Sequence, residues 1–425
     1  MHFFGKSAAE AREEILNLVE AYCKSYRSAD ARQEGDTIPH AARAYDSAEM
    51  INLVDSALDF GLTGGCYTEK FEKAFAAYVG VSYCSLVNSY SSANLVAFMA
   101  LTSPLLGERR ILPGDEVITV AVGLPTAVAP IVQYGAVPVF VDVTLPQCNI
   151  DVAALEAALS VKTKAVMVAH MAGNPYDLKT VRNFCNEYDL WLIEDNGNAL
   201  GAEYDFDGTV YKTGAVGDIS TASFSSPSHL TMGEGGAVLT RDTMLHRIIC
   251  SMCEGGRDFA GTPTQPDTYV YSHFGYHVKA TDLQAAVGLA QLEKLPALVA
   301  RRRAILSRLH ASLQEVADKL LLPESCAGGT PSPLGLWLTC REGVSRDRVV
   351  AYLKAHGVKV CVPFAGNLLR QPCFEELCRR GGCRTVGTLP VTDRVMRDAF
   401  LVNVDPSMTD EAVACLAGAI KEALA

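Results

Sequence analysis

The chain has 425 residues, 37 basic and 48 acidic side chains, a formal net charge of −11 and a 49% apolar composition. That apolar share excludes global disorder and leaves room for more than one domain. The acidic balance argues against a nucleic-acid partner, because counterion release needs clustered Lys and Arg.

Residues 1–13 contain no apolar run of the signal-peptide kind, so the chain reads as soluble and cytoplasmic. A first amphipathic helix is predicted over 8–27, a polar loop over 28–45, and helices over 48–60 and 67–79. Strands at 83–87, 116–120, 137–141, 165–170 and 191–194 then alternate with helices at 91–102, 126–134, 153–159 and 178–188. Such alternation indicates βαβ units around a mostly parallel sheet. The longest uncharged run, 117–141, carries Pro125, Pro130, Pro138, Gln133 and Gly135, and reads as strand–helix–strand rather than as a membrane span.

Two further strands are predicted at 219–224 and 236–240, joined by a polar turn. Helices follow at 282–294 and 298–313, and the Pro/Gly cluster at 323–333 marks a domain junction. Beyond it, 335–339, 346–356, 358–362 and 410–423 read as a small α/β unit. The expected division is an N-terminal helix and arm (1–45), a large domain (46–300) and a small C-terminal domain (301–425).

The 14 cysteines include one CxxC, Cys250 and Cys253, and a run at five-residue intervals, Cys373, Cys378 and Cys383. A zinc ribbon needs two paired CxxC units, so no metal site is expected. Without a secretory signal, disulfides are not expected either.

Three segments carry chemistry. Asn88–Ser89–Tyr90–Ser91–Ser92–Ala93–Asn94 is a polar turn leading from a strand into a helix. Hydroxyls and free N–H groups there make an anion site, or else Ser91 is a plain helix cap. Trp191–Leu192–Ile193–Glu194–Asp195–Asn196 ends a buried strand in carboxylates, where open α/β sheets bind ligands. An Asp in that place pairs with a protonated pyridine nitrogen, or caps a helix. The third segment runs from Ser223 through Pro227, Ser228 and His229 to the glycine hairpin at 233–236.

With those segments in that order, the chain resembles the DegT/DnrJ/EryC1/StrS family of sugar aminotransferases and dehydrases, fold-type I pyridoxal-phosphate enzymes. It is most similar to the nucleotide-sugar 3-dehydrases, through 101–110, 113–119, 149–159, 173–178, 231–238, 271–291 and 366–372. The resemblance implies a large, mostly parallel seven-stranded sheet domain and a smaller C-terminal α/β domain. It implies pyridoxal or pyridoxamine phosphate as cofactor, with Ser91, Ser92 and Ser223 at its phosphate and Asp195 at its pyridine nitrogen. Leu124 stands at the ring-stacking position and His277 at a further phosphate position. The segment 276–282 is implied to reach a neighbouring subunit's site in a homodimer, with His273 close by. Asn367 and Arg370 lie in a segment resembling a substrate loop.

The departures from the family are specific. Transaminases have a Schiff-base lysine, and dehydrases a histidine, where this chain has Ser228. The second dehydrase histidine is kept as His229. Ser225 replaces a tyrosine and Asn198 an acidic residue. Three iron–sulfur ligand positions are Gly197, Phe259 and Gly261, so the cluster is expected to be absent. Ser228 is a poor base, which disfavours transamination unless Lys212 or Lys279 substitutes. The expected activity is removal of the C3 hydroxyl from a keto sugar on a nucleotide or nucleoside, in deoxysugar or natural-product biosynthesis. His229 is the candidate base and Ser228 and Asn198 its neighbours. The alternatives are an aminotransferase with a displaced base and an inactive member of the family.

Overall fold

The computed structural model describes residues 3–26, 45–258, 268–362 and 364–425. The polar loop read at 28–45 falls outside these residues except for its last position, as do Phe259 and Gly261.

Helices α1 (Ala8–Tyr26), α2 (Ser47–Leu58) and α3 (Cys66–Val79) open the chain. Strand β1 (Tyr83–Val87) leads into α4 (Tyr90–Ala100), and β2 (Glu116–Val120), α5 (Pro125–Tyr134) and β3 (Val137–Val141) follow. The uncharged run at 117–141 is thus strand, helix and strand, as read. Next come α6 (Leu155–Ala158), β4 (Thr163–Ala169), α7 (Leu178–Glu187), β5 (Trp191–Asp195), β6 (Glu203–Phe206), β7 (Thr209–Lys212), β8 (Ile219–Ser223), β9 (Gly236–Thr240) and α8 (Thr243–Cys253).

Helix α9 (Asp282–Leu313) is one element of 32 residues, where two were predicted. Pro296 inside it removes one helical hydrogen bond. The helix continues because both halves are packed. Ala285, Leu292, Leu295 and Val299 join Phe71 and Phe75 of α3 in one core, and Ile305, Leu309 and Leu313 join a second. Residue 300, the expected domain boundary, therefore lies within α9.

The C-terminal part contains β10 (Leu320–Leu321), β11 (Gly329–Thr330), β12 (Gly335–Cys340), α10 (Arg346–Ala355), β13 (Val360–Cys361), α11 (Pro372–Arg379), β14 (Arg384–Thr385), α12 (Pro390–Asp398), β15 (Ala399–Asn403) and α13 (Asp410–Glu422).

The large sheet has eight strands, not seven, in the order β1-β9-β8-β5-β4-β2-β3-β14. Every pairing from β8 to β14 is parallel, and β9 runs antiparallel to both β1 and β8. The eighth strand, β14, comes from the C-terminal part and aligns Arg384 with Val139. Its Arg384 donates to Glu116 Oε2 at 2.7 Å, which ties the two parts of the chain together. A second sheet, β10-β12-β15-β13, covers the C-terminal core.

A third sheet, β11-β6-β7, was not predicted. Its signal was present as Asp207–Gly208 between two short stretches with alternating aromatic or β-branched residues, 203–206 and 209–212. Both residues have positive φ, 52° and 92°, the conformation a two-residue hairpin turn needs.

Cys378 and Cys383 are joined by a disulfide, which corrects the expectation of none. The reason is local. Helix α11 ends at Arg379, Gly381 turns the chain at φ 73°, and the two Cα atoms return to 5.1 Å. No described helix is long and apolar enough to cross a membrane.

Candidate functional site at the end of strand β5

Parallel strands β4, β5 and β8 end together, and the cofactor-type residues cluster beyond those ends. Glu194 and Asp195 are consecutive, so their side chains leave β5 on opposite faces. Both are buried, at 0% and 1% exposure.

Glu194 is enclosed by donors. Its carboxylate accepts from the backbone N–H groups of Gly214 and Val216, each at 2.8 Å, and from that of Gly217. His170 Nε2 lies 2.9 Å from Oε2. The imidazole is itself fully buried and stacked on Tyr176, with ring centroids 4.2 Å apart. Burial raises the Glu194 pKa, but His170 and the backbone donors outweigh it and hold the carboxyl below its usual range. Neither His170 nor this network was singled out from the sequence. Only a histidine ending one strand beside a glutamate on the next could have flagged it.

Asp195 has fewer partners. Gly197 N–H donates at 3.1 Å and Asn94 Nδ2 is at 3.5 Å. The strongest contact is Tyr90, whose hydroxyl donates to Asp195 Oδ2 at 2.5 Å. Here burial dominates and the Asp195 pKa is raised, although Tyr90 and Gly197 N–H work against it. Neighbouring carboxyls pushed in opposite directions are the pattern of a binding or catalytic site rather than of a uniform core.

The cavity beside Asp195 is lined by Tyr90, Thr119, Leu124, Met171, Asn198 and Phe364, among others. The expected ring-stacking position Leu124 and the expected catalytic neighbour Asn198 are thus on its wall. The partly open cavity offers about 20 Å³ of water-sized space, room for one or two water molecules.

The phosphate turn differs in detail from its reading. Ser89, not Ser91, caps α4, accepting from Ser92 N–H at 3.1 Å. Ser92 Oγ donates to Asn88 Oδ1 at 2.7 Å, and Ser91 is exposed. The stretch leading to α9 runs alongside this turn: Asn88 N–H donates to the Val278 carbonyl at 2.7 Å, and Val87 bridges to Lys279. That places exposed His277 near the phosphate end, against Gly255.

Beyond β8, three serines form a closed triangle. Ser228 Oγ donates to Ser223 Oγ at 2.9 Å, and Ser225 Oγ lies 3.1 Å from Ser223 and 3.2 Å from Ser228. Phe224 anchors the turn edge-on between Phe71 and Phe75, with centroids 5.2 and 5.1 Å away. The sequence named all three serines, but not that their hydroxyls satisfy one another.

His229 corrects an expectation. Its side chain is 2% exposed and does not line the Asp195 cavity. Its Nε2 lies 2.9 Å from the Ser332 carbonyl, away from the serine partners of Ser228. Burial first, and the Arg302 charge second, push its pKa down to about 3. The ring is therefore neutral and sealed where a base at the cavity would need reach.

The substrate-side residues are also engaged elsewhere. Asn367 Nδ2 donates to Asp393 at 2.7 Å, and its Oδ1 caps the turn at Leu369. Arg370 makes a two-pronged contact with the same Asp393, at 3.1 and 2.7 Å. His273 is held between the hydroxyls of Ser103, at 2.7 Å, and Ser251, at 2.8 Å. Asn367 and Arg370 bound the short helical turn at 368–370, whereas His273 lies in the loop between α8 and α9. Of the lysines considered, Lys279 pairs with Glu254 and Lys212 lies 4.9 Å from the Tyr78 ring centroid. No lysine is among the described residues lining the cavity.

The cofactor implied by the resemblance can be tested on these residues. Asp195 is the carboxylate that the resemblance assigns to a pyridine nitrogen, but Tyr90 already supplies its donor. The remaining space is that of a water or two, not of a substituted ring with a phosphate arm. Pyridoxal phosphate does not fit this arrangement.

The model of the DegT/DnrJ/EryC1/StrS aminotransferase family matches residues 45–421. The chain is 41% identical to the lipopolysaccharide biosynthesis protein RfbH of Salmonella typhimurium, over 95% of this chain and 96% of that protein. It is 37% identical to the dTDP-4-dehydro-2,6-dideoxy-D-glucose 3-dehydratase of Saccharopolyspora spinosa, over 98% and 93%. The solved Escherichia coli GDP-4-keto-6-deoxy-D-mannose-3-dehydratase with bound hydrated PLP superposes with a TM-score of 0.83, covering 91% of this chain and 100% of that one, at 23% identity. That last likeness concerns the fold, that of fold-type I pyridoxal-phosphate enzymes. By its sequence and its architecture, the chain belongs to the DegT/DnrJ/EryC1/StrS aminotransferase family.

Proposed function

We propose that the chain acts on a keto sugar carried on a nucleotide, in the dehydrase branch of the family, with loss of the C3 hydroxyl as its reaction. The observation that carries the choice over amino transfer is the lysine-free lining of the Asp195 cavity. Amino transfer needs a lysine to hold the aldehyde and shuttle the proton, and Ser228 stands with its hydroxyl engaged by Ser223. The full-length likeness to a dTDP-sugar 3-dehydratase supports the substrate class.

Within this reading Asp195 and Asn198 are the polar groups presented to the cavity. Leu124 is its apolar wall, and Ser92, Ser223 and His277 belong to the phosphate end. The reaction is proposed to be free of an iron–sulfur cluster, since Gly197 offers no thiolate. Loss of a hydroxyl next to the keto group is a two-electron reduction, so the reaction is proposed only for an arrangement in which Tyr90 has left Asp195 and pyridoxamine phosphate is bound as the reductant. A homodimer is also proposed. Tyr269, Tyr271 and Phe274, exposed at 62%, 62% and 98%, precede the segment 276–282 that would meet a second copy; light scattering tests it.

A second reading, binding of the sugar nucleotide without turnover, is favoured by the sealed position of His229. One experiment separates the readings. The full-length protein is titrated calorimetrically with GDP- and dTDP-linked 4-keto-6-deoxy sugars, then incubated with each plus pyridoxamine phosphate, and products are weighed by mass spectrometry. Loss of the C3 oxygen is expected. An amino sugar formed with glutamate overturns the dehydrase choice, and bound but unchanged sugar moves the conclusion to the second reading. No binding of either sugar removes the substrate class.

A further inference from the structure

We infer that Tyr90 is a built-in occupant of the place that a pyridine ring would take on Asp195, so that the folded chain keeps its own family site closed. Four observations converge on it. Tyr90 is the first residue of α4, between the cap Ser89 and Ser92, so it starts at the phosphate end of the site. Its hydroxyl reaches the carboxylate at the pyridine end. The side chain therefore spans the same interval that a cofactor would, and gives the buried carboxylate an aromatic partner with a hydrogen-bond donor at its tip.

Gly197 completes the fit. A Cβ at 197 would fall 2.4 Å from Tyr90 Cε2 and 2.7 Å from Cζ. Only glycine leaves the ring its seat, so Tyr90 and Gly197 are matched by shape. The space left beside the ring is about 20 Å³. The electrostatics agree with the geometry: burial and the adjacent Asp195 push the Tyr90 pKa well above its usual value, so its proton stays in the hydrogen bond.

The consequence is competition. A cofactor ring can reach Asp195 only after the Tyr90 hydroxyl has left a charged acceptor and its ring has left Gly197. A hydrogen bond to a charged group is strong enough to weaken uptake by about tenfold or more.

The test is an absorbance and equilibrium-dialysis titration of the full-length protein with pyridoxal phosphate and with pyridoxamine phosphate. Wild type is compared with Tyr90→Gly and with Tyr90→Ala, each of which removes the occupant while keeping Gly197, because a methyl at 197 would crowd a cofactor ring as it would crowd Tyr90. Circular dichroism and melting confirm that each variant is folded, and two independent variants guard against one that is not. Tighter cofactor binding by about tenfold or more is expected in both variants. The inference is overturned if wild type binds stoichiometrically and within about twofold of the variants. It is equally overturned if the folded variants bind no better than wild type. The sugar titration is a separate readout, so a failed sugar reading leaves this inference standing, and the reverse.

Discussion

Glu194 and Asp195 are neighbours at the end of one strand, yet they sit in two different kinds of environment. On one face, Glu194 meets three backbone N–H groups and His170, and its carboxyl is held down in pKa. On the other, Asp195 has one backbone donor, a distant amide and the Tyr90 phenol, and its carboxyl is pushed up. The first arrangement is a satisfied network that fixes the loop at 213–217 onto the sheet. The second rests mainly on a single side-chain donor, Tyr90. The difference teaches that burial alone does not distinguish structure from site; the number of fixed donors does.

The largest effect that tests this contrast is Glu194→Gln. It replaces an acceptor-only group by one that must turn an NH₂ toward existing donors, leaving buried N–H groups unpaired. A loss of about 3–5 kcal/mol in urea unfolding is expected; a loss below 1 kcal/mol would mean that the network is not structural.

His229 gives the next. Its pKa in the folded chain, about 3, lies below the usual value of about 6.5. The folded state therefore binds fewer protons than the unfolded one between those values, so its contribution is present above pH ~6.5 and is lost as pH falls toward ~3. In unfolding melts, wild type is expected to lose about 1.4 kcal/mol per pH unit more than His229→Gln across that window. Parallel pH curves for the two proteins would place His229 in contact with solvent.

On the other side of the strand, Asp195→Asn sharpens the contrast. The amide oxygen still accepts from Tyr90, so a stability change of only about 1 kcal/mol is expected. A loss as large as that of Glu194→Gln would make Asp195 a structural group as well. The smallest effect is Arg370→Ala, which cuts an exposed pair with Asp393. No measurable shift in the unfolding midpoint is expected. A large loss of sugar binding in this variant would return Arg370 to the substrate loop.

Much of this molecule could be read along the chain. The alternation of strands and helices through β5, and the large parallel sheet, follow from short-range periodicity. The polar turn before α4 and the carboxylates at the end of β5 were legible in the same way. Failures came where distant parts meet. Strand β14 joins a sheet that begins 300 residues earlier. Helix α9 runs through Pro296 because two cores hold it. The hairpin of β6 and β7 was legible in Asp207–Gly208, a positive-φ pair suited to a two-residue turn, but its strands are only four residues each.

The sequence by itself determined the family, the fold class and which residue types stand at the site, because these are carried by patterns of neighbouring residues. What only the tertiary structure decided is where the side chains point. Tyr90 and Asp195 are 105 positions apart, and His229 and Ser332 are 103 apart. A side chain leaving a turn takes its direction from what it packs against, and those partners are set only when the chain has closed around them.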